Sequence, residues 1–100
     1  MNLVKVTNGK VELRKDSGSL IRTIVSSGAV SAHINSSQNL ILVTYLNGKV
    51  ELRKDSGSLI RTIVSSNATD ARFNGSDIAV SLKNGKTELR KESGSLIRTI

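Results

Sequence analysis

One hundred residues with fifteen Lys+Arg against eight Asp+Glu leave a formal net charge of +7, and 37% of the residues are apolar. That is room for one small domain, with apolar residues too regularly spaced for a disordered chain. The absence of cysteine excludes a disulfide framework, a thiolate metal site and a cysteine nucleophile.

Taken in chain order, Leu3 to Thr7 is rich in β-branched and aliphatic residues and reads as a first strand. Asn8-Gly9 suits a two-residue type I′ hairpin turn, whose two central residues both need positive φ. Val11-Glu12-Leu13-Arg14 then alternates apolar and charged residues, the period of a strand with two different faces. Asp16-Ser17-Gly18-Ser19 supplies a polar turn, and Leu20 to Ile24 forms a third strand. Ala29 to Ile34 and Leu40 to Leu46 add two more. The longest unbroken apolar run, Leu40 to Val43, is far too short to cross a bilayer, so no membrane partner is expected. The start of the chain, Met1 to Lys5, has no long apolar stretch of the signal-peptide kind. With cysteine absent, the expected setting is the cytoplasm.

The chain then repeats itself. Asn47 to Ser66 copies Asn8 to Ser27 letter for letter, and Asn84 to Ile100 is a third copy that differs only at Thr87 and Glu92. Such identity beside freely varied segments is what recent duplication or deliberate construction leaves. The copies bring the same turns, Asn47-Gly48 and Asn84-Gly85, and the same strands, Val50 to Arg53 and Thr87 to Arg90. Between them, Thr69 to Phe73 and Ile78 to Leu82 read as further strands. No stretch keeps a helical period over ten residues or more. The fold class expected is all-β with four strands per repeat, in units 1–27, 28–66 and 67–100. That makes eleven strands, because the first unit lacks its leading strand.

The run Asn47-Gly48-Lys49-Val50-Glu51-Leu52 resembles the third strand of the WD40 repeat, which typically reads D-G-T-V-R-L-W-D. Ser56-Gly57-Ser58-Leu59-Ile60-Arg61-Thr62-Ile63 is similar to the family's following turn and fourth strand. Ala71 to Ser81 resembles its V-x-F-S-P-D-G-x-x-L-A-S-G segment. Arg14-Lys15, Arg53-Lys54 and Arg90-Lys91 stand where Trp-Asp would be, and no Gly-His precedes the first strand of a repeat. The resemblance implies β-propeller blades of four antiparallel strands, about three per chain, without the family's His-Ser-Trp-Asp network.

A blade buries its faces against neighbouring blades, and a propeller closes into a ring so that no end stays bare. A three-blade arc leaves two faces in water, at several kcal/mol per face for a few hundred Å² at roughly 25 cal/mol per Å². Head-to-tail association of identical chains removes both ends. Two chains close six blades and three chains close nine, and six falls in the usual range, so the expected partner is a second copy, a homodimer. In the first blade the innermost strand is missing. A β-trefoil, which also uses three four-stranded repeats and closes as a monomer, is the alternative architecture. It is disfavoured by the missing twelfth strand and by the lack of long loops.

Chemistry is sparsely signalled. His33 is the only histidine, within Ala32-His33-Ile34 on an inner strand, and has no orienting partner in the local sequence. Asp70 and Asp77 flank a strand, where acidic residues are usually turn formers rather than an acid–base pair. Asn-Gly-Lys is a hairpin, not a phosphate loop. No catalytic, cofactor-binding or metal-ligating residue is expected, and the chain is not expected to be an enzyme. The leading expectation is a self-assembling propeller scaffold or binding module. Its rival is a polyanion-binding module for nucleic acid or anionic glycan, using Arg14, Lys15, Arg53, Lys54, Arg90, Lys91, Arg22, Arg61 and Arg98. Against that stand only two aromatic residues, Tyr45 and Phe73, for stacking. Repetition, solubility and protection of strand edges by lysine account for the same charges. Glu12 and Arg14 lie two apart on one strand, which points to cross-strand pairing with Arg22.

Overall fold

The computed structural model describes residues 2–100, and its elements are eleven strands. They are β1 (Asn2–Thr7), β2 (Lys10–Lys15), β3 (Leu20–Val25), β4 (Ala29–Asn35), β5 (Leu40–Tyr45), β6 (Val50–Lys54), β7 (Leu59–Val64), β8 (Ala68–Asn74), β9 (Asp77–Leu82), β10 (Thr87–Arg90) and β11 (Leu96–Thr99). Each pairs antiparallel with its chain neighbours inside one of three separate sheets. The first sheet is β1-β2-β3, the middle sheet β4-β5-β6-β7 and the last sheet β8-β9-β10-β11. No ladder joins strands of different sheets among the described residues, which overturns the β-trefoil alternative.

The sheets stack face to face through two apolar seams. In the first seam Val11, Leu13 and Ile24 meet Ala29, Ile41 and Val43. In the second, Leu42, Val50, Leu52 and Ile63 meet Ala68, Ala71, Ile78 and Val80. Strand β5 explains its own composition. Successive side chains point to opposite faces, so Ile41 and Val43 enter one seam and Leu42 the other. A strand covered on both faces reads as a continuous apolar run, which is what Leu40 to Val43 is.

The backbone pins each seam at a glycine. Ala29 N donates to Gly9 O, and Ala68 N to Gly48 O, both at 3.0 Å. A Cβ on Gly48 would lie 2.5 Å from Asn67 N, so the hairpin turn of one sheet touches the entry to the next.

The identical Asn-Gly turns are not built alike. Asn8 (φ 52°) and Gly9 (φ 80°) form the expected two-residue turn, with Thr7 opposite Lys10. In the later copies only the glycine has positive φ, 88° at Gly48 and 87° at Gly85. There Gly48 N donates to Tyr45 O and Tyr45 N to Lys49 O, as Gly85 N does to Leu82 O and Leu82 N to Lys86 O. These are three-residue loops with a bulge, correcting the type I′ expectation at Asn47-Gly48 and Asn84-Gly85. The extra loop residue moves the register by one. Leu42 lies opposite Leu52, whereas its repeat equivalent Leu3 lies opposite Arg14, and Val4 takes the place opposite Leu13. A slip of one residue turns every side chain of a strand to its other face. Val4 and Val6 therefore pack into the first seam, and Leu3 is exposed.

Alanine at either loop glycine strains the backbone, but only Gly48 also faces a backbone collision. Gly85→Ala is expected to lose about 1 kcal/mol and Gly48→Ala about 3 kcal/mol. Denaturant midpoints of the two variants measure the difference.

Candidate functional site

The charged strands carry a repeated device. On β2, Glu12 accepts from Arg14 at 2.8 and 3.1 Å and lies 3.2 Å from Lys10 Nζ. On β6, Glu51 accepts from Arg53 at 3.0 Å and lies 3.2 Å from Lys49 Nζ. On β10, Arg90 Nε donates to Glu88 at 3.0 Å. The alternation puts i and i+2 on one face, so each pair forms along its own strand and not across to Arg22. Each arginine also closes the next turn. Arg14 donates to Gly18 O at 2.6 Å, Arg53 to Gly57 O at 2.7 Å and Arg90 to Gly94 O at 2.6 Å. Those glycines have φ between 90° and 97°, which suits glycine and turns the carbonyl back to the guanidinium.

The device divides the nine basic residues named from the sequence. Arg14, Arg53 and Arg90 are bound to carboxylates and turns within the chain. Lys15, Lys54 and Lys91 stand exposed at strand ends. Arg22, Arg61 and Arg98 are exposed on the outer strands, with Arg61 making one 3.4 Å bond to Ser93 O.

In the middle sheet the device sits inside a seam. The buried Glu51 also accepts from the Tyr45 hydroxyl, and Lys49 Nζ lies 4.8 Å over the Tyr45 ring. Burial raises the Glu51 carboxyl pKa, but bonds from Tyr45, Arg53 and Lys49 outweigh it and hold it below the usual 4.5. Burial and the same carboxylate push the Tyr45 hydroxyl up. Glu12 is held down by bonds from Arg14 and Lys10.

The second cluster lies on β4 and β8, the leading strands of their sheets. Asp70 Oδ1 accepts from Ser31 Oγ at 2.8 Å and from Ala71 N at 2.9 Å, and lies 3.3 Å from His33 Nε2. Its Oδ2 accepts from Arg72 at 3.1 Å. His33 thus has a carboxylate partner supplied by the neighbouring sheet, which no local sequence pattern could reveal. Burial raises the Asp70 pKa, yet Ser31, Arg72, Ala71 and His33 together bring it below 3.8. Ser31 donates to Asp70 rather than to His33, so the cluster bridges two sheets. Asp77 is not part of it. Its register partner is Asn74, while Asp70 lies beside Ser81. Among the described residues no group of three or more His, Cys, Asp or Glu is placed to hold a metal ion.

No family model matches the sequence, and no curated protein matches it. Solved structures do match. The chain is similar to Kluyveromyces lactis Hsv2, at 14% identity and TM-score 0.77, over 99% of this chain and 33% of that one. It is also similar to the WD40 β-propeller domain of Doa1, at 17% identity and TM-score 0.68, over 96% of this chain and 38% of that one. The fold is that of WD40-like β-propeller blades. The chain spans about a third of the length of these propeller chains.

All three shifted carboxylates have folded pKa values below their unfolded ones. Their stabilisation is complete above pH 4.5 for Glu12 and Glu51 and above pH 3.8 for Asp70, and is lost as pH falls through the lower folded values. Thermal melts are expected to leave these three contributions unchanged from pH 7 to 5 and to lose them below pH 4.5. Asp70→Asn is expected to flatten the last part of that fall.

Proposed function

We propose that the chain is a non-catalytic propeller module that completes its ring by joining a second copy of itself, and that it works by presenting the assembled surface. The observation that carries this reading is one sequence in three environments. Leu13 and Leu52 are each 2% exposed, yet their repeat equivalent Leu89 is only half-buried. Ile24 and Ile63 are 7% and 5% exposed, and Ile100 is 76% exposed. The face that the first two sheets bury is therefore only partly covered on the last sheet, where Thr87 stands in place of Val11 and Val50.

The opposite flank supports the choice of occupant. The outer face of the first sheet carries Glu12 and Arg14, and the middle sheet meets its neighbour with the same pair, Glu51 and Arg53. A second copy thus brings to that face the same glutamate–arginine pair that the first interior seam already accepts there. Two chains of three blades give six, within the usual size of a propeller. Burying a few hundred Å² at each junction, at roughly 25 cal/mol per Å², is worth several kcal/mol. The absence of catalysis is supported by Asp70, His33 and Ser31, whose bonds tie one sheet to the next.

Light scattering is expected to give twice the 10.7 kDa chain mass, and Leu89→Asp to give one chain mass with an unchanged strand spectrum. A wild-type chain that stays single at every concentration overturns the reading.

The exposed and recurrent Arg22, Arg61, Arg98, Lys15, Lys54 and Lys91 favour polyanion binding as a second reading. Replacing Arg22, Arg61 and Arg98 by serine is then expected to abolish saturable heparin binding. Retention that is unchanged in the triple variant contradicts it.

A further inference from the structure

The middle and last sheets each begin with a strand that the first sheet lacks. β4 and β8 cover the inner edges of β5 and β9, and the same edge of β1 has no paired strand among the described residues. The two resident strands share a pattern: Gly28-Ala29-Val30-Ser31-Ala32-His33-Ile34-Asn35 and Asn67-Ala68-Thr69-Asp70-Ala71-Arg72-Phe73-Asn74 both read Ala-x-x-Ala-x-apolar-Asn. Each sets its second alanine opposite a valine of the next strand, Ala32 against Val43 and Ala71 against Val80. The strand whose edge is empty is also the one out of register.

We propose that the inner edge of β1 takes up an extended segment of the pattern Ala-x-x-Ala-x-apolar-Asn as a fourth strand, and that β1 slips by one residue to receive it. In the observed register the outer face of β1 offers Leu3, Lys5 and Thr7, and it sets Lys5 and Thr7 where Val43 and Tyr45 face the alanines of the middle sheet. After the slip, Val4 stands where Val43 does and Val6 where Tyr45 does, facing outward with the incoming alanines. Leu3 moves opposite Leu13, as Leu42 lies opposite Leu52. Backbone bonds to the bare edge supply the affinity and the side-chain pattern the selectivity.

One residue holds the empty chain back. The slip carries Lys5 to the place of Thr44, which is 1% exposed, and an unpaired buried ammonium is unfavourable. With the edge empty, Lys5 stays in water opposite Glu12 and the two-residue turn prevails. An Asn-Gly pair fits either turn: Asn8-Gly9 forms the two-residue turn, and its copies Asn47-Gly48 and Asn84-Gly85 form the three-residue loop.

This inference goes beyond ring closure and does not depend on it. The test is titration of the full chain with the synthetic peptide GAVSAHIN, followed by NMR contacts across β1 and β2. Saturable binding is expected, with the Val4–Leu13 contact replaced by Leu3–Leu13. Lys5→Thr is expected to bind about tenfold more tightly, because it removes the buried charge. A control peptide with both alanines changed to glutamate is expected not to bind. No saturable binding to the wild-type chain, binding without the change of register, or equal binding of the control overturns the proposal. A chain that takes the peptide but has the mass of one copy keeps this inference and loses the six-bladed ring.

Discussion

A sheet has two faces, and an open stack of sheets leaves one face uncovered at each end. The two internal seams are closed by small and branched residues meeting at near-complete burial, Ala29, Ile41 and Val43 in one and Ala68, Ile78 and Val80 in the other. Everything else in the molecule is arranged around that stacking. The hairpin glycines let one sheet's turn touch the next sheet's backbone. The glutamate–arginine pairs allow a charged strand to lie within a seam, because each carboxylate is bonded before it is buried.

Much of this was legible in the residues. Alternation, β-branched composition and the repeat located all eleven strands to within one or two residues, whereas the covering of Leu40 to Val43 on both sides emerged only from the fold. The register of β1 was not legible. Asn-Gly supports two turns that differ by a single residue, and nothing in Asn8-Gly9 distinguishes it from its copies. The copies differ around the turn instead: in whether a strand lies at the inner edge, and in the residue three positions before the asparagine, Lys5 in one and Thr44 in the next.

The charges show the same division. Sequence spacing placed Glu12 and Arg14 on one strand, but their pairing along the strand and the closure of the turn at Gly18 needed the backbone path. His33 looked partnerless because its carboxylate, Asp70, is a full repeat away and arrives only when two sheets stack. That cluster was beyond local pattern reading. Repeat identity, in contrast, is an internal control that few proteins offer: Leu13, Leu52 and Leu89 are one position of the repeat, and differ in the residue opposite them, Val4, Leu42 and Ala79, and in what lies over them.

That comparison also provides the most direct measurement. Amide hydrogen exchange can be followed at Leu13, Leu52 and Leu89 in the full chain, all three being paired within their sheets. If another copy covers the last blade, Leu89 is protected in solution to the same degree as Leu52. If Leu89 exchanges orders of magnitude faster than its two equivalents at every protein concentration, the flank stays open to water and the account fails.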